Sequence, residues 1–286
     1  QSNLLDTFMD FLPYEGEKVN KDELKEFLEM LIHCRVALDV AFVRSLEYGY
    51  TLDMNINSND NSDLRKLLMF ESFLYVSSSN MTNYRWFGWL MDVTVKASQF
   101  PSCTDLFHHL KSECDKLNPL PKYNDLCYDR EIRYWFWRLD FAIWEQRKEL
   151  FKEDENSVLL DVAENYVFIR NRSIEHIAPQ HPKSESDLKK KKKDQDDTDL
   201  RNSFGNLVMI SQGLNSALSN SSYEVKKAHV ESYFKSVNGT IESLKLLMVY
   251  KDYKNAWNKD MISKHGYEMY EFLRKEIPLK EELQKL

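Results

Sequence analysis

The chain has 286 residues, 42% of them hydrophobic and 13% aromatic, enough for one large domain or two ordinary ones. Only 7 Gly and 7 Pro argue against a turn-rich all-β fold and for long helices, whose solvated faces the 30% of charged residues suit. The net charge of −7 counts mildly against a nucleic-acid partner, although the distribution of charge and any bound cation weigh more than the sum.

The first half reads as helices. Over 22–48, Leu24, Phe27, Leu28, Leu31, Leu38 and Phe42 recur near helical spacing. Asn55–Asp63, rich in Asn, Asp and Ser, predicts a loop. Helices follow over 64–77 and 81–98, the second carrying Tyr84, Trp86, Phe87, Trp89 and Leu90. Another runs from about Thr104 to Leu117, where Asn118-Pro119-Leu120-Pro121 ends it, because proline cannot continue a helix. The most apolar helix spans 128–151, with one stripe of Ile132, Trp135, Phe136, Leu139 and Ile143 and a second of Tyr134, Trp137, Phe141 and Trp144. A helix apolar on two faces is buried between neighbours. A base-stacking surface is the other reading of its aromatics.

The texture changes after Asn156. Tyr166–Ile169 and Arg172–Ile177 are β-branched and aromatic and predict extended segments. Pro182–Arg201 holds seven positive and six negative residues and almost nothing apolar, so it reads as a solvated loop, with Lys189–Lys193 as the alternative phosphate grip. Gly205–Ile210 predicts a second short strand. A short helix around Asn215 and a longer one at 222–236, capped by Ser221 or Ser222, come next, with further helices to the C-terminus.

Cys34, Cys103, Cys114 and Cys127 form no CxxC pair and none stands beside a His at zinc spacing, which excludes a sequence-evident structural zinc site. Scattered thiols, the lack of a signal peptide and the lack of an 18-residue apolar run lead to the expectation of a cytoplasmic protein with no membrane partner.

Two pieces carry chemistry. One is Ser173-Ile174-Glu175-His176-Ile177-Ala178-Pro179-Gln180. The other runs from Phe204 through Gly205-Asn206-Leu207 to Gly213-Leu214-Asn215. Phosphodiester hydrolysis needs a base for water, a hard cation for the charge growing on phosphate and leaving oxygen, and an orientation for the base. His176 suits the first need, since an imidazole titrates near neutrality. Glu175 and Asn215 offer oxygen ligands to Mg²⁺ or Mn²⁺. A regular strand sends Glu175 and His176 to opposite faces, so both flank one phosphate only if the strand end is irregular or the phosphate lies between them.

The pattern Glu175-His176-Ile177-x-Pro179, then Asn206-Leu207, then Asn215, resembles the ββα-metal (HNH, or His-Me finger) nuclease finger. Its longer form, through Leu218, Ser219, Asn220, Tyr223 and Lys226, resembles the C-terminal nuclease domain of GmrSD-type modification-dependent restriction proteins and their phage-defence relatives. The resemblance implies a general base at His176, metal ligands at Glu175 and Asn215, an Asn206 that holds the strand–loop geometry around the base, and a Lys226 that meets a DNA phosphate. Capping of a helix is the alternative for Asn215, and an ordinary exposed lysine for Lys226. Relatives often end with Ile-x-x-Arg, where this chain has Ile262-Ser263-Lys264-His265. Relatives also carry an N-terminal ParB-like domain with a DGQQR motif, thought to use nucleotide, and no such motif occurs here.

The expected fold is mainly α (α+β): a helical bundle with a small inserted ββα-metal finger. A helical domain is expected over 1–125 and a nuclease domain over 126–286, with its finger at about 166–236. The expected function is metal-dependent cleavage of DNA, modified DNA included, as effector of a restriction or phage-defence system. The alternative is a non-catalytic helical coupling module that retains a degenerate nuclease fold.

Overall fold

The structure, a computed structural model, describes residues 14–15, 18–54, 61–78, 85–97, 99–128, 132–152, 158–179, 200–234, 239–254 and 256–279. The fold is mainly α. Among these residues the elements run β1 (Tyr14–Glu15), β2 (Lys18–Val19), α1 (Lys21–Ala41), β3 (Arg44–Leu46), β4 (Gly49–Thr51), α2 (Asn61–Ser77), α3 (Arg85–Lys96), α4 (Cys103–Leu117), α5 (Arg133–Glu145) and α6 (Arg147–Leu150). They continue with α7 (Val158–Glu164), β5 (Ser173–His176), β6 (Leu207–Ile210), α8 (Gln212–Leu218), α9 (Tyr223–Phe234), α10 (Leu244–Asp252) and α11 (Lys259–Glu276). Each pair of strands forms its own two-stranded antiparallel sheet.

Local chemistry sets the helix ends. The Asn20 side chain accepts from Asp22 and Glu23 N–H groups at the start of α1, and Ser102 and Asp105 form a capping box on α4. The helix expected over 22–48 stops at Ala41. Phe42 is extended, and Arg44–Thr51 turns back as a hairpin, with Gly49 at φ 125°, a conformation that L side chains rarely adopt.

The centre of the molecule is α5. Trp135 to Trp144 are buried without interruption, and α5 packs against α2, α10 and α11. Its aromatics are core, so the base-stacking alternative is excluded: Trp137 is 6% exposed and Trp144 3%. The apolar run expected over 128–151 is shorter as helix, divided into α5 and α6. One core cluster extends from Ala41 to Ile277. Tyr166–Ile169 forms no strand. Tyr166 and Phe168 are instead buried anchors, the Tyr166 hydroxyl donating to Asp140 of α5 at 3.2 Å. Of the Asn55–Asp63 and Pro182–Arg201 loops, residues 55–60 and 182–199, with Lys189–Lys193, lie outside the described residues. All four cysteines are free thiols. No helix among the described residues is long and apolar enough to cross a membrane.

Candidate active site

The site is built on β5 and β6. They pair antiparallel with Ser173 opposite Ile210, Glu175 opposite Val208 and His176 opposite Leu207, and the Ile177 N–H extends the ladder to the Asn206 carbonyl. Every residue of β6 is buried, which makes this short strand the floor of the site. At its end Ser211 caps α8, accepting from the Leu214 N–H. Glu242 clamps that cap, accepting from the Ser211 N–H at 2.5 Å and its hydroxyl at 2.8 Å. The start of α8 is therefore held from two sides, and α8 carries Asn215.

Regular pairing sends Glu175 and His176 to opposite faces of β5. Glu175 shares its face with Ser173, whose hydroxyl accepts from Asn215 Nδ2 at 2.7 Å, so Asn215 and Glu175 meet the same side of the strand. His176 lies on the other side. Its Nε2 is 3.0 Å from Asn202 Oδ1, and the Tyr128 ring covers it at 4.7 Å between centroids. Glu175 is 6% exposed and His176 7%, so the three residues do not converge on one solvent-open point.

Glu175 instead faces an ammonium. Lys226 of α9 places Nζ 2.5 Å from Glu175 Oε1 and 2.6 Å from the His176 carbonyl oxygen, and it is only 1% exposed. Burial and these two bonds give Lys226 a task other than the surface phosphate contact or the exposed lysine expected for it. Burial lifts the Glu175 carboxyl above its ordinary range, against the pull of Lys226. Burial also draws Lys226 down, against the pull of Glu175. The His176 imidazole falls below its ordinary value because it is desolvated, against the Asn202 bond.

Asn206 is fully buried at the turn before β6. Its Oδ1 accepts from the Ala178 N–H at 2.7 Å and from Trp257 Nε1 at 2.9 Å. Its Nδ2 donates to the carbonyls of Ala178 at 3.0 Å and Arg201 at 2.9 Å. One amide thus ties the segment after His176, the end of the charged loop and the segment leading into α11. Lys245 of α10, fully buried, donates to the Phe204 carbonyl at 2.8 Å and the Leu207 carbonyl at 2.6 Å, and its backbone N–H donates to Asp140 of α5. Phe136 of α5 stacks on Phe204 at 5.3 Å. On the remaining side Gly205 meets Gly266 of α11 so closely that a Cβ on either would collide with backbone. Beside Gly266, His265 is fully buried between Tyr253 and Trp257, and neither ring nitrogen has a hydrogen-bond partner among the described residues. The C-terminal helix, left open by its departure from Ile-x-x-Arg, supports the back of the finger.

A family model described as "GmrSD restriction endonucleases, C-terminal domain" matches residues 121–272, more than half of the chain. The chain belongs to this family. No curated protein and no solved structure matches it. The match makes this a restriction-endonuclease-type domain. The matched span encloses Glu175, His176, Asn206, Asn215 and Lys226, and it also contains α5, α10 and the first part of α11, which hold the finger.

The donor chemistry in this GmrSD-type domain suits a hard divalent cation in kind, with few protein ligands. Glu175 offers a carboxylate and Asn215 an amide oxygen on one face of β5, and oxygen is what Mg²⁺ and Mn²⁺ prefer. The described residues hold no cluster of three or more His, Cys, Asp or Glu side chains able to grip a metal. The protein's share would be two oxygens, one of them on a carboxylate already paired with Lys226. Asn202, Tyr128, Lys245 and Trp257 also hold the site. All four reach the finger from outside its motif, and no local pattern marks them.

Proposed function

We propose that the chain is a divalent-metal-dependent DNA endonuclease of the His-Asn-His type, the effector of a restriction or phage-defence system, with His176 as general base. The observation that carries this reading is the setting of His176. Its imidazole is fixed by Asn202 and Tyr128, and burial favours its neutral form near pH 7, as a base for water requires. Asn206 holds the turn behind it. Lys226 holds the Glu175 carboxylate on the opposite face of the strand. Glu175 and Asn215 would hold Mg²⁺ or Mn²⁺, which when bound would stabilise the charge growing on the phosphate. Modified DNA as preferred substrate, and a ParB-like nucleotide-using domain as partner, belong to the same proposal and rest on the resemblance alone.

The test is incubation with modified and unmodified phage DNA and Mg²⁺ or Mn²⁺, with and without EDTA. The expected outcome is EDTA-sensitive cleavage that His176→Ala lowers by roughly 10²–10⁴-fold. Cleavage by that variant at the wild-type rate removes His176 from the mechanism.

A second reading is a coupling module that retains the nuclease fold without cutting. The buried Glu175–Lys226 pair favours it, since a ligand carboxylate is there neutralised by protein. Calorimetry with Mn²⁺ and an uncleavable duplex separates the two. In the nuclease reading, Glu175→Ala and Asn215→Ala each remove most of the heat of binding. Equal uptake by wild type and both variants leaves the module reading.

A further inference from the structure

We infer that Arg133, Arg170 and Arg172 form a phosphate track that holds the backbone of duplex DNA beside β5. The inference rests on the reading of the chain as a DNA endonuclease and adds the surface on which the duplex lies.

The segment leading into β5 is a platform with a fixed inner edge. Tyr166, Phe168 and Asn171 are buried, while Val167, Ile169, Arg170 and Arg172 are exposed. Trp137 of α5 donates to the Ile169 carbonyl at 3.1 Å. Arg170 donates to the Tyr75 carbonyl at 2.8 Å and lies 5.4 Å from the centre of that ring. Arg133, the first residue of α5 and also exposed, donates through Nε to the Arg172 carbonyl at 3.1 Å. Three guanidinium groups thus stand along one short stretch of surface, two of them fixed by neutral carbonyls. The arginine ion pairs among the described residues belong to Arg35, Arg44, Arg138, Arg147 and Arg274, so none of the three has a carboxylate partner there. Acids of neighbouring segments are occupied elsewhere. Glu242, whose carbonyl accepts from Asn171, sets its carboxylate on Ser211, Asp140 accepts from Tyr166, and Glu175 is bound by Lys226.

On a chain of net charge −7, a basic stretch left without acids is the exception. Like charges set together repel, and a polyanion removes that repulsion. Arginine forks match phosphate oxygens, and such contacts fix the register of a duplex without reading its bases. The place is right for a substrate. Arg172 adjoins Ser173, whose hydroxyl accepts from Asn215, and it stands four residues before His176, about 13 Å along an extended chain. One turn of duplex is about 34 Å, so a single duplex can lie on the arginines and bring a phosphate to the site together.

The test titrates a labelled, unmodified DNA duplex with the full chain in EDTA, reading anisotropy at several salt concentrations. Each phosphate contact adds about 0.9 to the slope of log K against log salt, a factor of about 5 in affinity at 0.15 M. Arg133→Gln, Arg170→Gln and Arg172→Gln are each expected to lower the slope by that amount, and the triple variant to weaken binding about a hundredfold. Arg172→Lys keeps the charge and is expected to keep the slope, as is Lys25→Gln on α1. With Mg²⁺ present, KM is expected to rise and kcat to stay, the sign of binding shared by ground and transition states. Arg133 and Arg170 also bond carbonyls, so Arg172→Gln decides the matter if the triple variant unfolds at a lower temperature. An unchanged slope in Arg172→Gln overturns the inference, as does a wild type that binds no duplex at 0.05 M salt or binds single strands or RNA more tightly. Arginine-dependent binding without cleavage would instead remove the nuclease reading and leave the track standing.

Discussion

Replacing Lys226 by Met tests whether the Glu175–Lys226 pair is buried in an energetic sense. The side chains are 1% and 8% exposed and their charged atoms 2.5 Å apart. At an effective dielectric of about 20 their attraction is roughly 6–7 kcal/mol. Desolvation of each ion costs several kcal/mol, so the two effects nearly cancel. The directions of both groups agree with that balance, because burial outweighs the partner's pull on Glu175 and on Lys226 alike. Lys226→Met leaves a buried carboxylate without its counter-charge and the His176 carbonyl without its donor. The expected loss is about 3–5 kcal/mol, and Glu175→Leu alone should cost a similar amount. Lys226→Met with Glu175→Leu should return to within about 1 kcal/mol of wild type, since apolar replacement of a buried pair is often neutral. Urea denaturation at pH 7, by linear extrapolation, measures all four corners of the cycle. A single-variant loss under about 1 kcal/mol, the size of a surface pair, would refute the reasoning. So would a double variant that costs the sum of the singles.

His265 gives the fold an acid limit. Burial and the nearby Lys245 charge hold its folded-state value well below 6.5. Below pH 6.5 the unfolded chain binds a proton that the native ring refuses, so stability is intact above that pH and falls beneath it. The slope is about 1.4 kcal/mol per pH unit from this residue, and His265→Phe should remove it in denaturation curves between pH 6.5 and 5; an unchanged slope would show that the ring finds a partner. Two glycines predict opposite signs. Gly205→Ala would drive a Cβ to 2.1 Å from the Ile262 carbonyl oxygen and should cost at or above the upper end of about 1–3 kcal/mol. Gly88→Ala, with nothing within 4 Å, should stabilise α3 by about 1 kcal/mol. Thermal or urea unfolding of the pair checks both, and a harmless Gly205→Ala would mean that the finger is not seated on α11.

Local pattern was enough for much of the molecule. The double apolar stripe of 132–144 marked a helix packed on two sides, and it is the central one. The two strands that carry Glu175-His176 and Leu207–Ile210 show in their own side chains. Hairpin Arg44–Thr51 escaped because Leu38 and Phe42 continue the helical spacing of α1, while the turn that breaks it depends on Gly49 alone. The family's motif named Glu175, His176, Asn206, Asn215 and Lys226 because these residue types stand at the separations along the chain that the motif requires. What each side chain touches was a tertiary matter. Lys226 reads as an exposed helix residue until α9 is laid over β5, where burial leaves its ammonium nowhere to go but Glu175 and the His176 carbonyl. Asn202 reads as the end of a charged loop until the Tyr128 bridge brings it beside the imidazole. Hydrophobic period and capping act within a few residues, so a sequence displays them. Desolvation and the partner of a buried charge depend on which segments, 26 to 51 residues apart here, are pressed together.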